Sequence, residues 1–166
     1  MEEDPRRGKA EAKAYRLLAL RAHSEKELRA KILAGGFGER LVAEVIGKCR
    51  ELGYLDDRSY ARQRARELAV NRLAGDRRIA ADLRERGIGE DLAREAIVQI
   101  REEFSEAEAL DRLVRKRSGG KGGAALEEKE RARLVRSLMG KGFPAGLVFR
   151  KLNQTQEEGF HGDDWE

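Results

Sequence analysis

An all-α fold of three tandem three-helix repeats, stacked into an elongated, curved rod, is predicted by three observations. Charged residues make up 40% of the chain and hydrophobic ones another 40%, while aromatic residues reach only 5% and there are 2 prolines. That mixture suits amphipathic helices and argues against a β-sandwich rich in aromatic and branched strands. The sequence also aligns with itself at Gly36, Gly87 and Gly142, at spacings of 51 (87 − 36) and 55 (142 − 87) residues. Finally, each glycine sits between two apolar patterns of helical period.

The pattern around those glycines defines two helices per repeat. Eight residues ahead of them stand Leu28, Ile79 and Leu134, and four ahead stand Ile32, Leu83 and Leu138, which places both sets on one helical face. A glycine at this point fits the left-handed position that ends a helix, where a Cβ would be strained. Phe37, Ile88 and Phe143 follow and can fold back onto the helix they leave. Gly38, Gly89 and Pro144 then mark a new helix start, proline being tolerated in a first turn. Apolar positions resume at Leu41, Leu92 and Leu147 and close at Ile46, Ile97 and Leu152.

A third helix precedes each pair, over Lys9 to Ala22, roughly Asp57 to Leu73, and Ser105 to Arg117. Ser24 with Glu27 and Ser105 with Glu108 read as capping boxes, in which the serine accepts an amide hydrogen bond and the glutamate reaches back. In the middle repeat, Gly75 and the residues after it supply the turn. The expected organisation is a disordered N-terminus (1–8), repeats over 9–53, 54–104 and 105–153, and an acidic tail (154–166) that reads as disordered. The third repeat carries a glycine-rich insertion, 118–123, expected to act as a flexible connector. Units of about 50 residues bury little core alone, so neighbours are expected to stack.

The formal net charge is +4, from 35 Lys+Arg against 31 Asp+Glu. The tail holds five of those acids and no Lys or Arg, so the body without it carries +9 (35 − 26). A body that basic fits a nucleic acid, a nucleoprotein or an acidic protein surface. Cys49 is the single cysteine, which excludes an intramolecular disulfide, and no stretch approaches a membrane span. The charged start, MEEDPRRGKA, does not resemble a signal peptide, so a cytoplasmic protein is expected.

No catalytic or metal constellation is expected. Asp56 and Asp57 read as helix caps rather than an acid/base dyad, with Leu55 placed as a hydrophobic staple. Tyr54 and Tyr60 read as packing residues rather than base-stacking platforms. His23 and His161 lie too far apart in sequence for a zinc site, and Lys121, followed by Gly122, does not complete a phosphate-binding loop. Cys49, on an apolar helix face, reads as a core thiol.

The partner-binding candidates are basic. Between Arg58 and Arg86 nine arginines face four acids, a local excess of five. Arg62, Arg66, Arg72, Arg77, Arg78, Arg84 and Arg86 are the candidates there, and Arg112, Arg115 and Lys116, with Arg117 and Lys121 beside them, form a second group; the bland alternative for each is a solvated face with i,i+4 pairs.

Gly53-Tyr54-Leu55-Asp56-Asp57, Tyr60-Ala61, Arg72, Gly75, Arg78-Ile79, Leu83 and Arg86-Gly87-Ile88 together resemble the RecX signature. The similarity extends upstream through Ala19-Leu20-Arg21, Ser24 and Glu27-Leu28 and downstream to Gly142-Phe143, over roughly residues 10 to 153. The resemblance implies three-helix repeats and a monomeric, non-enzymatic, cofactor-free regulator. It also implies binding in the helical groove of a RecA–DNA filament, which would lower ATP hydrolysis, strand exchange and coprotease activity in recombination, repair and the SOS response, with weak single- or double-stranded DNA binding at most. The competing expectation is a helical-repeat protein that binds single-stranded DNA directly. The glycine-rich insertion and the acidic tail ending in Trp165 and Glu166 lie outside the signature.

Overall fold

The computed structural model describes residues 3–120 and 125–158, and no β-strand occurs among them. The first unit holds α1 (Arg7–Leu20), α2 (Glu25–Ala34) and α3 (Glu39–Glu51). In the second, α4 (Asp57–Arg66) runs into a π-helical turn (Glu67–Asn71), followed by α5 (Asp76–Glu85) and α6 (Glu90–Glu103). The third holds α7 (Glu106–Arg117), α8 (Glu128–Gly140) and α9 (Ala145–Glu158).

The three alignment glycines end α2, α5 and α8 with φ of +85° at Gly36, +79° at Gly87 and +93° at Gly142. At the second and third, the hydrogen bonds of a Schellman motif close the helix: Ile88 N–H to Leu83 O (2.9 Å) and Gly87 N–H to Arg84 O (3.0 Å), then Phe143 N–H to Leu138 O (3.3 Å) and Gly142 N–H to Met139 O (3.0 Å). The apolar residues of the repeat pattern meet inside each unit. Leu28, Ile32, Val42, Ile46, Cys49 and Leu55 belong to the first core, Tyr60, Ala61, Ile79, Leu83 and Ile100 to the second, and Leu110, Leu138, Phe143, Val148 and Leu152 to the third. Three small cores in tandem leave more surface than one sphere.

Several local details differ from the sequence reading. The Ser105–Glu108 capping box is complete, but the Ser24 one is half formed: Ser24 Oγ accepts the Glu27 amide (3.2 Å), while the Glu27 carboxylate turns to Arg21, Tyr60 and Arg86 instead of to the Ser24 amide. A charged partner holds a carboxylate more strongly than a neutral amide does. The N-terminal segment is also tied down. Arg6, within the stretch expected to be disordered, donates to Gly36 O (3.0 Å) and stacks over the Phe37 ring at 4.6 Å, and α1 already begins at Arg7.

The π turn was not signalled by periodicity. It re-phases one stretch between two cores, so that Leu68 and Ala69 face the second while Val70 and Leu73 also pack on the third. The stretch ends with Leu73 at φ +51°, uncommon for a residue with a Cβ, and Ala74 N–H donates back to Leu68 O (2.9 Å). At the other end of the chain α9 continues to Glu158, past the expected boundary at 153. Of the glycine-rich insertion, Ser118 to Gly120 are described and 121–123 lie outside the described residues, as does the tail from 159.

Candidate partner-binding site

The basic residues singled out in the sequence fall into three groups once the helices are packed. The first is paired across helices. Arg62 lies 3.7 Å from Glu95 of α6, and Arg66 pairs with Glu103 at the end of the same helix. The α4 cations thereby face the acids of α6 rather than standing alone. Arg115 pairs with Asp111 (3.2 Å) one turn earlier in α7, and Arg112 lies over the Phe104 ring at 4.8 Å.

The second group holds the first two units together. Arg86 donates to Asp82 (2.9 Å), to Tyr60 Oη (3.0 Å) and to Glu27 of the first unit. Asp82 in turn takes both arms of Arg64, at 2.8 and 2.9 Å. The Arg64 guanidinium holds the Asp82 carboxyl below the usual carboxylate range, against the opposing effect of burial. Burial also opposes ionisation of Glu27, yet Arg21 and Arg86 together hold it below that range. Around this network Ser24 Oγ–H donates to Arg86 O (2.6 Å), Lys26 Nζ to Glu85 O (3.2 Å), and the Glu25 amide to Asp57 (2.8 Å).

The third group is open. Arg77, Arg78 and Arg84 are exposed on α5, and Lys116 and Arg117 are exposed at the end of α7. Arg77 and Arg84 border a groove of about 690 Å³ between α5 and α6, whose apolar side includes Ala80, Ile88, Ala93, Ile97 and the half-exposed Val98. Arg72, 3.7 Å from Glu67, sits at the end of the π turn. Its carbonyl accepts from Lys141 Nζ (3.2 Å), a lysine absent from the sequence candidates. Desolvation and the nearby charges of Arg117, Arg78, Arg72 and Lys116 all push the Lys141 ammonium below its ordinary range. Five cations, from the second and third units, thus converge at one junction. No single window of sequence signals this, because residues 72, 78, 116, 117 and 141 lie on four separate segments.

The family-motif residues serve the scaffold. Asp56 caps α4 by accepting the Ser59 amide (3.2 Å), and Asp57 caps α2. Leu55 and Tyr60 are buried, Tyr54 packs edge-on against Tyr15 with ring centroids 5.8 Å apart, and Gly53 adopts φ +75°. Cys49 is fully buried, and burial pushes its thiol up from the ordinary range. Among the described residues no cluster of three or more His, Cys, Asp or Glu could hold a metal, and no helix is long and apolar enough to cross a membrane.

Comparison with known proteins agrees with this architecture unit by unit. Family models for the first, second and third three-helix domains of RecX match residues 10–49, 56–97 and 105–152. A Regulatory protein RecX of Thermus thermophilus is 40% identical over 90% of this chain and 96% of its own length. One from Syntrophotalea carbinolica is 33% identical over 86% and 94%. The crystal structure of RecX from Lactobacillus salivarius superposes with a TM-score of 0.77 at 20% identity, covering 92% of this chain and 97% of that one, which speaks for the fold. With all three units matched in order along the chain, it belongs to the RecX family of regulatory proteins.

Proposed function

We propose that this chain binds RecA nucleoprotein filaments along their helical groove and lowers the recombinase's activity by joining subunits that must move during the ATP cycle. The observation that carries this reading is the α5–α6 groove of the second unit. There Arg77 and Arg84 flank an apolar floor ending in the exposed Val98, while the two carboxylates of the lining, Asp76 and Glu90, are paired with Arg101 and Arg94, a combination that suits an acidic, partly apolar protein surface. Tandem units multiply weak contacts of this kind, so substoichiometric action is expected. The regulation is by binding; no reaction is assigned to the chain, since Asp56 and Asp57 are engaged as helix caps.

The test is single-strand-dependent ATP hydrolysis by the cognate RecA, titrated with this protein at constant salt and excess DNA. Inhibition well below one molecule per RecA subunit supports the reading, and the double substitution of Arg77 and Arg84 by Glu is expected to abolish it. A second reading, direct competition for single strands, draws on the five-cation junction. It requires inhibition only once the DNA is saturated, with a steep loss at higher salt.

A further inference from the structure

The two junctions between units are built on the same plan, and the difference with the largest consequence is the sign of the charge. The repeat spacings relate Ser24 to Gly75 and Glu27 to Arg78 (51 residues), and Arg86 to Lys141 and Asp82 to Ser137 (55 residues). The geometry follows this relation. Ser24 Oγ–H donates to Arg86 O (2.6 Å) across the first junction, and Gly75 N–H donates to Lys141 O (2.8 Å) across the second. Across the first, the Arg86 guanidinium meets two carboxylates, Glu27 and Asp82. Across the second, the corresponding cation is Lys141, and the positions of Glu27 and Asp82 are taken by Arg78, whose charge bears on Lys141, and by Ser137. Both counter-charges have gone, and one has become a cation.

Arg72, Lys116 and Arg117 add to the imbalance, and the Glu67 carboxylate 3.7 Å from Arg72 is the one ion-pair partner found for these five cations among the described residues. Backbone contact keeps like charges together here: a Cβ on Gly75 would fall 2.4 Å from the Gly142 carbonyl, and Arg77 N–H also donates to Gly142 O (3.3 Å). Half-buried Lys141 cannot swing away, because its ammonium is anchored on Arg72 O (3.2 Å).

We infer that the second junction is completed by an external anion: backbone phosphates of a nucleic acid bind among Arg72, Arg78, Lys116, Arg117 and Lys141 and lock the third unit onto the second. Phosphates fit better than an acidic peptide, because the cations come from both units and a polyanion with one charge per nucleotide can touch both without an apolar anchor. The inference rests on the second reading above, to which it adds the seat of the phosphates and their effect on the third unit, and it is tested without the recombinase.

The experiment uses the full chain and a fluorescein-labelled oligothymidylate at low salt. Expected are saturable binding and an at least tenfold slowing of hydrogen exchange at the Gly75 and Arg77 amides, which span the junction. Arg78→Glu puts a carboxylate where Glu27 stands in the first junction. It should weaken binding at least tenfold and slow exchange at those two amides without oligonucleotide, a readout that general charge loss does not produce. Lys141→Gln should weaken binding too. Arg29→Glu, an equal charge change on exposed α2, should weaken binding no more than about threefold. Equal losses for Arg78→Glu and Arg29→Glu, or unchanged exchange at Gly75 and Arg77, would overturn the proposal. So would polyglutamate displacing the oligonucleotide at an equal charge concentration, which would place an acidic protein segment at the junction.

Discussion

Asp57, the first residue of α4, accepts the backbone N–H of Glu25, the first residue of α2, at 2.8 Å. Glu106, the first residue of α7, does the same for Asp76 of α5 at 3.0 Å. In both cases the opening carboxylate of one unit caps the middle helix of the unit before it, so α-helix capping and unit stacking are a single interaction. Burial pushes both carboxyls up, which at neutral pH makes the charge a cost and the acceptor oxygen the benefit. Asp57→Ala is therefore expected to destabilise by about 1–2 kcal/mol through the orphaned amide, whereas Asp57→Asn, which keeps an acceptor, should cost under about 0.5 kcal/mol. Thermal unfolding at pH 7 compares the two, and equal losses would mean that the charge, not the hydrogen bond, matters.

The Glu27–Arg86 pair should be coupled and sensitive to acid. The side chains are 16% and 29% exposed, so removing Arg86 leaves a mostly buried carboxylate with Arg21 as its remaining ion-pair partner and Tyr60 Oη as a neutral donor. Arg86→Ala should cost about 2 kcal/mol, below the figure for a fully buried pair because solvent screens this one. A double-mutant cycle with Glu27→Gln should return a coupling of about 1 kcal/mol. Glu27 and Asp82 are both held below the usual range in the fold, so the unfolded chain binds more protons as pH falls. Their contribution is complete above about pH 5 and disappears as pH drops through the folded values. Arg86→Ala should flatten the fall in stability between about pH 5 and 3.

His23 should impose a second pH dependence nearer neutrality. Its ring is 3% exposed; Lys31 Nζ donates to Nε2 at 2.9 Å, so the proton sits on Nδ1, which donates to Arg21 O at 2.9 Å. Burial, with the charges of Arg21 and Lys31 adding to it, holds the imidazole below its ordinary range. Below about pH 6.5 the unfolded chain therefore takes up a proton that the folded one refuses, and stability falls with pH. The melting temperature should drop between about pH 6.5 and 5 and stay level from 7 to 8. In His23→Gln, lower throughout, the drop across that upper window should vanish; if it persists, another group titrates there.

How much of this was legible in the sequence depends on the range of the interaction. Glycine caps, the apolar faces and the Ser105 box are set within a turn or two of chain; the first two appear in the self-alignment and the third in its Ser-x-x-Glu spacing. Ion pairing is not local: Arg66 finds Glu103 and Arg86 finds Glu27 across 37 and 59 residues, so a window rich in arginine reads as a basic surface when six of its nine arginines are paired. Glu27 left its expected capping partner for the same reason, a distant guanidinium outbidding a nearby amide. Lys141 went unnoticed because it stands apart from any basic run, and only its alignment with Arg86 shows that a salt bridge has been replaced. The π turn has no period of its own and had to be seen.

The two glycines of the second junction and of α9 offer opposite outcomes from one substitution. Gly75 has φ −79°, which alanine accepts, yet its Cβ would fall 2.4 Å from the Gly142 carbonyl carbon and oxygen, so the backbone of the third unit must retreat. Gly146 lies inside α9 with nothing within 4 Å of a Cβ. Gly146→Ala, at the second position of the helix, should raise stability by roughly 0.3 kcal/mol, less than the interior value because the site lies in the first turn. Gly75→Ala should lower it by roughly 2 kcal/mol or more, as overpacking against rigid backbone does. Hydrogen exchange localises the damage: the amides of Gly75 and Arg77, which donate to Lys141 and Gly142, should open first in Gly75→Ala, while the first unit, with Ser24 at the corresponding position, keeps its protection. Uniform loss across all three units would show that the junction is not a separate point of weakness.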